Sequence, residues 1–153
     1  MKSGITVLII AAVLTSSAAF AKENNACVKT TEKQVASMFD RWNASLQTGD
    51  AKTVSENYLS DAVLLPTLSN QVRLSDEERI HYFEEFLAKK PVGHIDSRNI
   101  RLGCNKAIDT GTYTFTFKDG SKAAARYTFT YAWNGEKWLI STHHSSAMPE
   151  QVK

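Results

Sequence analysis

Near the end of the chain the run STHHSSAMP, residues 141–149, sets two imidazoles among several hydroxyls. Side chains of these types can move protons, hold a ligand by hydrogen bonds or bind a metal. On a strand, successive side chains take opposite faces. His143 and His144 would therefore diverge, and they cannot close on one ion from the same chain in regular geometry. Strict alternation groups His143 with Ser141 and Ser145, and His144 with Trp138, Ile140 and Thr142. His143 has two readings, a ligand-binding or catalytic histidine and a hydrogen-bonded structural one. For acid–base work its candidate partners are Asp61 and Tyr58.

Arg126 stands in AAARYTFTYAW, a stretch with no other charge, on the face that carries Thr128 and Thr130. A buried guanidinium is costly unless paired. An anion held bidentately would pair it; the alternatives are a sheet-edge position reaching water and an internal pair with a carboxylate such as Asp61. Tyr127, Phe129, Tyr131 and Trp133 form an aromatic stripe on the opposite face. If the other sheet face covers the helices and a pocket, this stripe needs its own cover, since a monomer would expose a large apolar patch. A second copy related by a two-fold axis would supply it; core packing is the alternative.

The elements that position these residues are legible. Thr31 and Gln34 form a capping box ahead of a helical stripe of Val35, Met38, Phe39, Trp42 and Leu46, which Gly49 ends. Asp50 is placed to cap a short second helix running to about Tyr58. DAVLLP, 61–66, is a brief strand stopped by proline. Ser75 and Glu78 open a third helix bearing Arg79, Ile80, Phe83 and Leu87. From His94 onward the period is two: HIDSRNIRLGC, TGTYTFTFKDG, AAARYTFTYAWNG and EKWLISTHHSSAM are four strands, with hairpin signals at Asp119-Gly120 and Asn134-Gly135. Helices early and antiparallel strands late define an α+β fold with the helices on one face of a curved sheet.

The chain has 153 residues and a formal net charge of +2, so one domain is expected. Composition gives no sign of a nucleic-acid or membrane partner. Residues 1–21 have the layout of a secretory signal: Lys2, an apolar core from Ile5 to Leu14, and the exit Ala19-Phe20-Ala21. The expectation is export, most simply to a periplasm, with no membrane attachment after cleavage. Residues 22–30 form an N-terminal extension and 150–153 a tail. Cys27 and Cys104 both fall in the exported part, where an even count favours a disulfide over two free thiols. No histidine or cysteine lies at ligand spacing from them, so no metal is expected, and no motif calls for a cofactor.

In order and spacing, FDRWNASLQTGD, YLSDAVLLPTLSN, HYFEEFLAKKPVGHID and YAWNGEKWLISTHHSSAMP resemble the nuclear transport factor 2-like superfamily. Within it they are most similar to the association domain of calcium/calmodulin-dependent protein kinase II and its stand-alone bacterial relatives. The resemblance covers 31–149. It implies a cone with a deep pocket between the long helix and the concave sheet, and self-association through sheet faces. No Gly-rich phosphate loop or catalytic loop of a kinase is present. On the family pattern the set containing His143 faces the pocket. Positions where the kinase domains carry pocket arginines hold Tyr113, Thr128 and Ser145, with Arg126 and Arg79 placed to restore positive charge. The expected pocket set is thus Arg79, Tyr113, Arg126, Thr128, His143 and Ser145, and the expected dimer interface Tyr127, Phe129, Tyr131 and Trp133. Two activities fit: a non-enzymatic, self-associating domain that holds a small polar or acidic molecule, or an isomerase- or dehydratase-type enzyme using His143.

Overall fold

Thr31 opens the first helix by the expected device: its hydroxyl accepts from the Gln34 N–H at 3.2 Å, and the Gln34 side chain accepts from the Thr31 N–H at 3.0 Å. The computed structural model describes residues 26–67 and 69–150, so the expected signal segment lies outside the described residues. Helix α1 runs Glu32–Leu46 and buries Val35, Met38, Phe39, Trp42 and Leu46. Gly49 takes φ +72° just past its end, a conformation that side chains with a Cβ resist.

The second helix, α2 (Ala51–Ser55), is capped by Asp50 but ends before the expected Tyr58. The buried Asn57 stops it. Its amide donates to the Thr53 and Val54 carbonyls at 3.3 and 3.2 Å, and its own carbonyl accepts from the Ile140 N–H. The chain is thereby drawn into β1 (Tyr58–Leu65), three residues earlier than the apolar run suggested. Helix α3 (Asp76–Leu87) follows, opened by the Ser75/Glu78 capping box. Then come β2 (Val92–Leu102), β3 (Lys106–Thr116), β4 (Lys122–Trp133) and β5 (Trp138–Ala147).

The five strands form one sheet in the order β1-β5-β4-β3-β2; β1 lies parallel to β5 and all other pairs are antiparallel. Three register shifts bend it. In β2 the bulge between Ile95 and Ser97 presses on Gly111, where a Cβ would overlap the Ser97 carbonyl. In β5 the shift between the Thr130–Thr142 and Tyr131–Ile140 pairs leaves Ser141 over. In β1 it falls between Tyr58 and Val63.

The core lies between the helices and the sheet's inner face. Tyr113 and Phe115 of β3, Tyr127, Phe129 and Tyr131 of β4, and Ile140 of β5 meet Phe39 and Trp42 of α1. The aromatic stripe of β4 therefore points inward, against expectation: Tyr127, Phe129 and Tyr131 are at most 2 % exposed. It is the core itself, because the large apolar area of α1 has no other face to meet. Trp133, half-buried, pairs with Trp138 at the sheet's end. The expected dimer interface is corrected accordingly for Tyr127, Phe129 and Tyr131.

Cys27 and Cys104 are joined by a disulfide, 77 positions apart, which ties the N-terminal extension to the β2–β3 turn. Closing a loop of that length contributes about 4 kcal/mol in the chain-entropy model. Beside it the Val28 N–H donates to the Asn105 side chain at 2.8 Å. No helix among the described residues is long and apolar enough to cross a membrane.

Candidate functional site

The inward row of β4 reads Tyr131, Phe129, Tyr127 and then Ala125 and Ala123. Where the aromatics give way to alanine the core opens into a cavity of about 150 Å³. Its walls are apolar and largely aromatic, from Trp42 of α1, Tyr82, Phe83 and Phe86 of α3, and Phe115 and Phe117. Its inner polar residues are Thr67, Tyr113, His143 and Ser145; Tyr82 adds a hydroxyl and the exposed Lys89 a cation.

These polar groups form one connected file. The Tyr58 hydroxyl lies 2.9 Å from His143 Nδ1. On the other side of the ring, His143 Nε2 lies 3.4 Å from the Tyr113 hydroxyl. Tyr113 donates to Ser145 Oγ at 2.6 Å, and Ser145 Oγ lies 2.5 Å from Thr67 Oγ1. With Tyr58 donating to Nδ1, the imidazole carries its proton on Nε2, toward Tyr113. Phe129 stacks on the imidazole at 4.0 Å between centroids, and Trp42 meets it edge-on at 5.3 Å.

Burial dominates the electrostatics here. It drives the His143 pKa down from 6.5 to about 3, with a smaller push from His144, so the ring is neutral near pH 7. Burial likewise raises Tyr58 and Tyr113 well above the usual phenol range, and Tyr82 to about 12. The buried file is thus a neutral set of donors and acceptors. Trp42, itself 1 % exposed, has an indole N–H without a hydrogen-bond partner.

Tyr113, His143 and Ser145 line the cavity, while three other expected pocket residues stand elsewhere. Arg126 and Thr128 project from the outer face, where they border a shallow groove with Ser97, Thr110, Thr112, His144 and Ser146. The register explains this: Tyr113 opposes Ala125 and Thr112 opposes Arg126, so Tyr113 and Arg126 cannot share a face. Arg79 is fully buried but serves the fold. Its guanidinium donates to the Leu59, Ser60 and Ala62 carbonyls at 3.1, 3.0 and 2.6 Å and to Asp76 at 2.5 Å. Those carbonyls belong to the irregular part of β1, where the sheet ladder leaves acceptors over. The positive pocket expected from Arg79 and Arg126 is corrected to one whose buried polar file is neutral, with the exposed Lys89 as the one cation at its edge.

Of the candidate acid–base partners for His143, Asp61 is exposed and makes no hydrogen bond to it, whereas Tyr58 is in direct contact. Ser141, left over at the β5 bulge, bonds Thr130 on the outer face at 2.7 Å rather than joining His143. Sequence reasoning missed Thr67, which lies in the β1–α3 connection and carries no signal of its own. It also missed a second inner network. Asp109 is fully buried, accepts from the Tyr127 hydroxyl at 2.9 Å and meets Arg98 Nε at 3.2 and 3.1 Å. Alternation along β3 would have found it, since Asp109 shares the inner row with Tyr113. No group of three or more His, Cys, Asp or Glu among the described residues is placed to hold a metal ion.

Residues 31–149 match the family model of the calcium/calmodulin dependent protein kinase II association domain. The chain belongs to that family. A Xanthomonas campestris protein assigned to the same association domain shares 51% identity, with a TM-score of 0.76 over 80% of this chain and 91% of that one. An NTF2-like protein of unknown function from Pseudomonas putida KT2440 matches at 16% identity and TM-score 0.68, over 76% of this chain and 86% of that one. The iota-carbonic anhydrase of a cyanobacterium, solved with bicarbonate, matches at 20% identity and TM-score 0.72, over 80% of this chain and 95% of that one. The last two likenesses show the fold, an NTF2-like α+β domain. No curated protein matches.

Proposed function

We propose that this association-domain protein is a small-molecule enzyme whose cavity interconverts carbon dioxide and bicarbonate. The observation that carries the reading is the neutral file Tyr58–His143–Tyr113–Ser145–Thr67 at the polar end of a small, otherwise apolar cavity. At about 150 Å³ the hollow is well below the roughly 300–1,000 Å³ of ordinary ligand pockets, so the substrate has few heavy atoms. Apolar walls suit a neutral linear molecule, and a hydroxyl floor suits water and the oxygens of the product. A strongly acidic ligand is disfavoured at the floor, since the one lining cation, Lys89, stands exposed at the edge of the hollow. The bicarbonate-bound carbonic anhydrase of the same fold supports the choice of substrate.

In this reading Ser145 and Thr67 hold the attacking water. Its oxygen forms a bond to the carbon of carbon dioxide while one carbon–oxygen π bond opens, and a water proton leaves along the hydroxyls to buffer. The products are bicarbonate and a proton. Tyr58 fixes the tautomer of His143, whose Nε2–H steadies the Tyr113 oxygen so that the phenol proton points at Ser145. Hydrogen-bond donors already aimed at a developing oxyanion are worth about 100-fold or more each.

Stopped-flow hydration with a pH indicator, run on the oxidised protein with and without chelator, tests this. We expect acceleration over buffer in both conditions, falling at least tenfold in Ser145→Ala with the fold retained by circular dichroism. No acceleration by the folded protein overturns the reading.

The family's name supports a second attribute, self-association. It would use the outer sheet face, where Thr110–Thr128 and Ser97–Thr112 pair their hydroxyls at 3.0 and 2.8 Å in a polar ladder. Light scattering at micromolar concentration is expected to give a mass above one chain; a monomer would remove this attribute. The N-terminal segment supports export, for which an N-terminal sequence starting at Lys22 in protein from a periplasmic extract is the check.

A further inference from the structure

Carbon dioxide or bicarbonate fills only part of the hollow, and the remainder has a chemistry of its own. Six aromatic side chains contribute to its walls: Trp42, Tyr82, Phe83, Phe86, Phe115 and Phe117. The space exists because Ala123 and Ala125 stand where the inner row of β4 otherwise carries rings. An apolar cavity of roughly 150 Å³ is large enough to take up a benzene ring. Unlike a purely apolar cavity, this one has hydroxyls at one end. Tyr113 commits its proton to Ser145, and of the two hydroxyl protons on Ser145 and Thr67 one lies between them, which leaves one O–H and oxygen lone pairs open to a ligand.

We infer that the cavity binds a single-ring phenol, its ring among the aromatic side chains and its hydroxyl donating to Ser145. The inference rests on the same cavity as the hydration reading but not on the reaction. Size sets one limit, since a fused two-ring alcohol exceeds the hollow. Polarity sets the other. Benzene satisfies the walls and leaves the floor unused, whereas phenol satisfies both, and one neutral hydrogen bond separates them by roughly five- to tenfold in affinity. A phenol seated there covers the Ser145–Thr67 pair and excludes carbon dioxide from it, so it acts as a competitive inhibitor of hydration.

The test is calorimetric titration of the folded, oxidised chain with phenol, benzene and 2-naphthol, repeated on Ser145→Ala and Ala125→Leu. The expected pattern is one phenol per chain, benzene weaker by about five- to tenfold, and no saturable 2-naphthol binding. Ser145→Ala should reduce phenol to the affinity of benzene while leaving benzene unchanged. Ala125→Leu, which fills the hollow from the opposite wall, should weaken both rings at least tenfold. If that variant fails to fold, Ala123→Leu nearer the mouth serves the same purpose. Absence of saturable phenol binding, or phenol binding indifferent to both cavity-filling variants, overturns the inference. The two proposals fail separately: hydration without phenol binding removes only this one, and phenol binding without hydration removes only the enzymatic reading.

Discussion

Two polar networks share the inner face of the sheet, and they are built on opposite principles. The His143 file joins neutral groups and opens on a cavity. The Asp109 network joins an aspartate, an arginine and a phenol, with the arginine also lying over the Phe39 ring at 5.7 Å. Tyr113 and Tyr127 mark the boundary, their rings 4.9 Å apart, one hydroxyl in each network. A buried charge needs a fixed partner, so the Asp109 network is closed and structural. A neutral file tolerates an open end, where a ligand replaces nothing indispensable. The contrast separates what holds this core together from what is free to do chemistry.

Asp109→Ala would strike that contrast hardest. It strands the Arg98 guanidinium and the Tyr127 hydroxyl, and breaking a buried pair costs about 3 kcal/mol or more. Because the side chain of Arg98 retains 23% exposure, the lower end is expected. Urea melts measure it, and a loss below about 1 kcal/mol would mean that the pair contributes little beyond its own desolvation.

Acid separates the two networks by sign. The folded-state pKa of His143 is depressed from 6.5 to about 3, so its contribution is complete above pH 6.5 and drains away as pH falls toward 3. Within that window each pH unit costs up to about 1.4 kcal/mol. Asp109 is displaced the other way: burial raises its pKa despite Arg98 and Tyr127, so its contribution is largest at low pH and declines as pH rises through the folded value. His143→Gln should therefore flatten the stability curve between pH 6.5 and 5, where aspartates add little. Parallel curves for the variant and the parent would show that the imidazole is not held neutral.

How much of this was legible turns on β4 and β5. Capping boxes at Thr31 and Ser75 mark the starts of α1 and α3, and the signals at Asp119-Gly120 and Asn134-Gly135 mark the hairpins, because each is a local device; the end of α2 and the starts of β1 and β3, which lack one, are three to four residues off. The parity of the strands is not local. Period-two reading groups His144 with Ile140, and Ile140 is buried. The left-over Ser141 shifts the ladder by one, so His143 follows Ile140 into the core instead. A bulge leaves no mark in alternation. Reading Arg126 inward takes a lone charge as the mark of a ligand; the outcome is set by three aromatic rings that must be buried on the other parity. The register in the structure shows the result: Tyr127 opposes Ser145 and Phe129 opposes His143, so those four share a face.

The two tyrosines offer the finest cut. Tyr127→Phe and Tyr113→Phe each remove one oxygen from a buried ring and leave the packing alone. In the first, the lost donor served a carboxylate, and hydrogen bonds to charged groups are worth about 1.5–3 kcal/mol. In the second, the lost group bridged neutral partners worth about 1 kcal/mol, and Ser145 keeps Thr67 at 2.5 Å. Tyr127→Phe should thus be the more destabilising by about 1 kcal/mol in denaturant melts. Hydration should rank them in reverse, Tyr113→Phe losing at least tenfold and Tyr127→Phe staying within about twofold, because only the Tyr113 hydroxyl belongs to the file that ends at the cavity. Equal losses of activity would join the two networks into one and end the distinction between a structural half and a chemical half of this core.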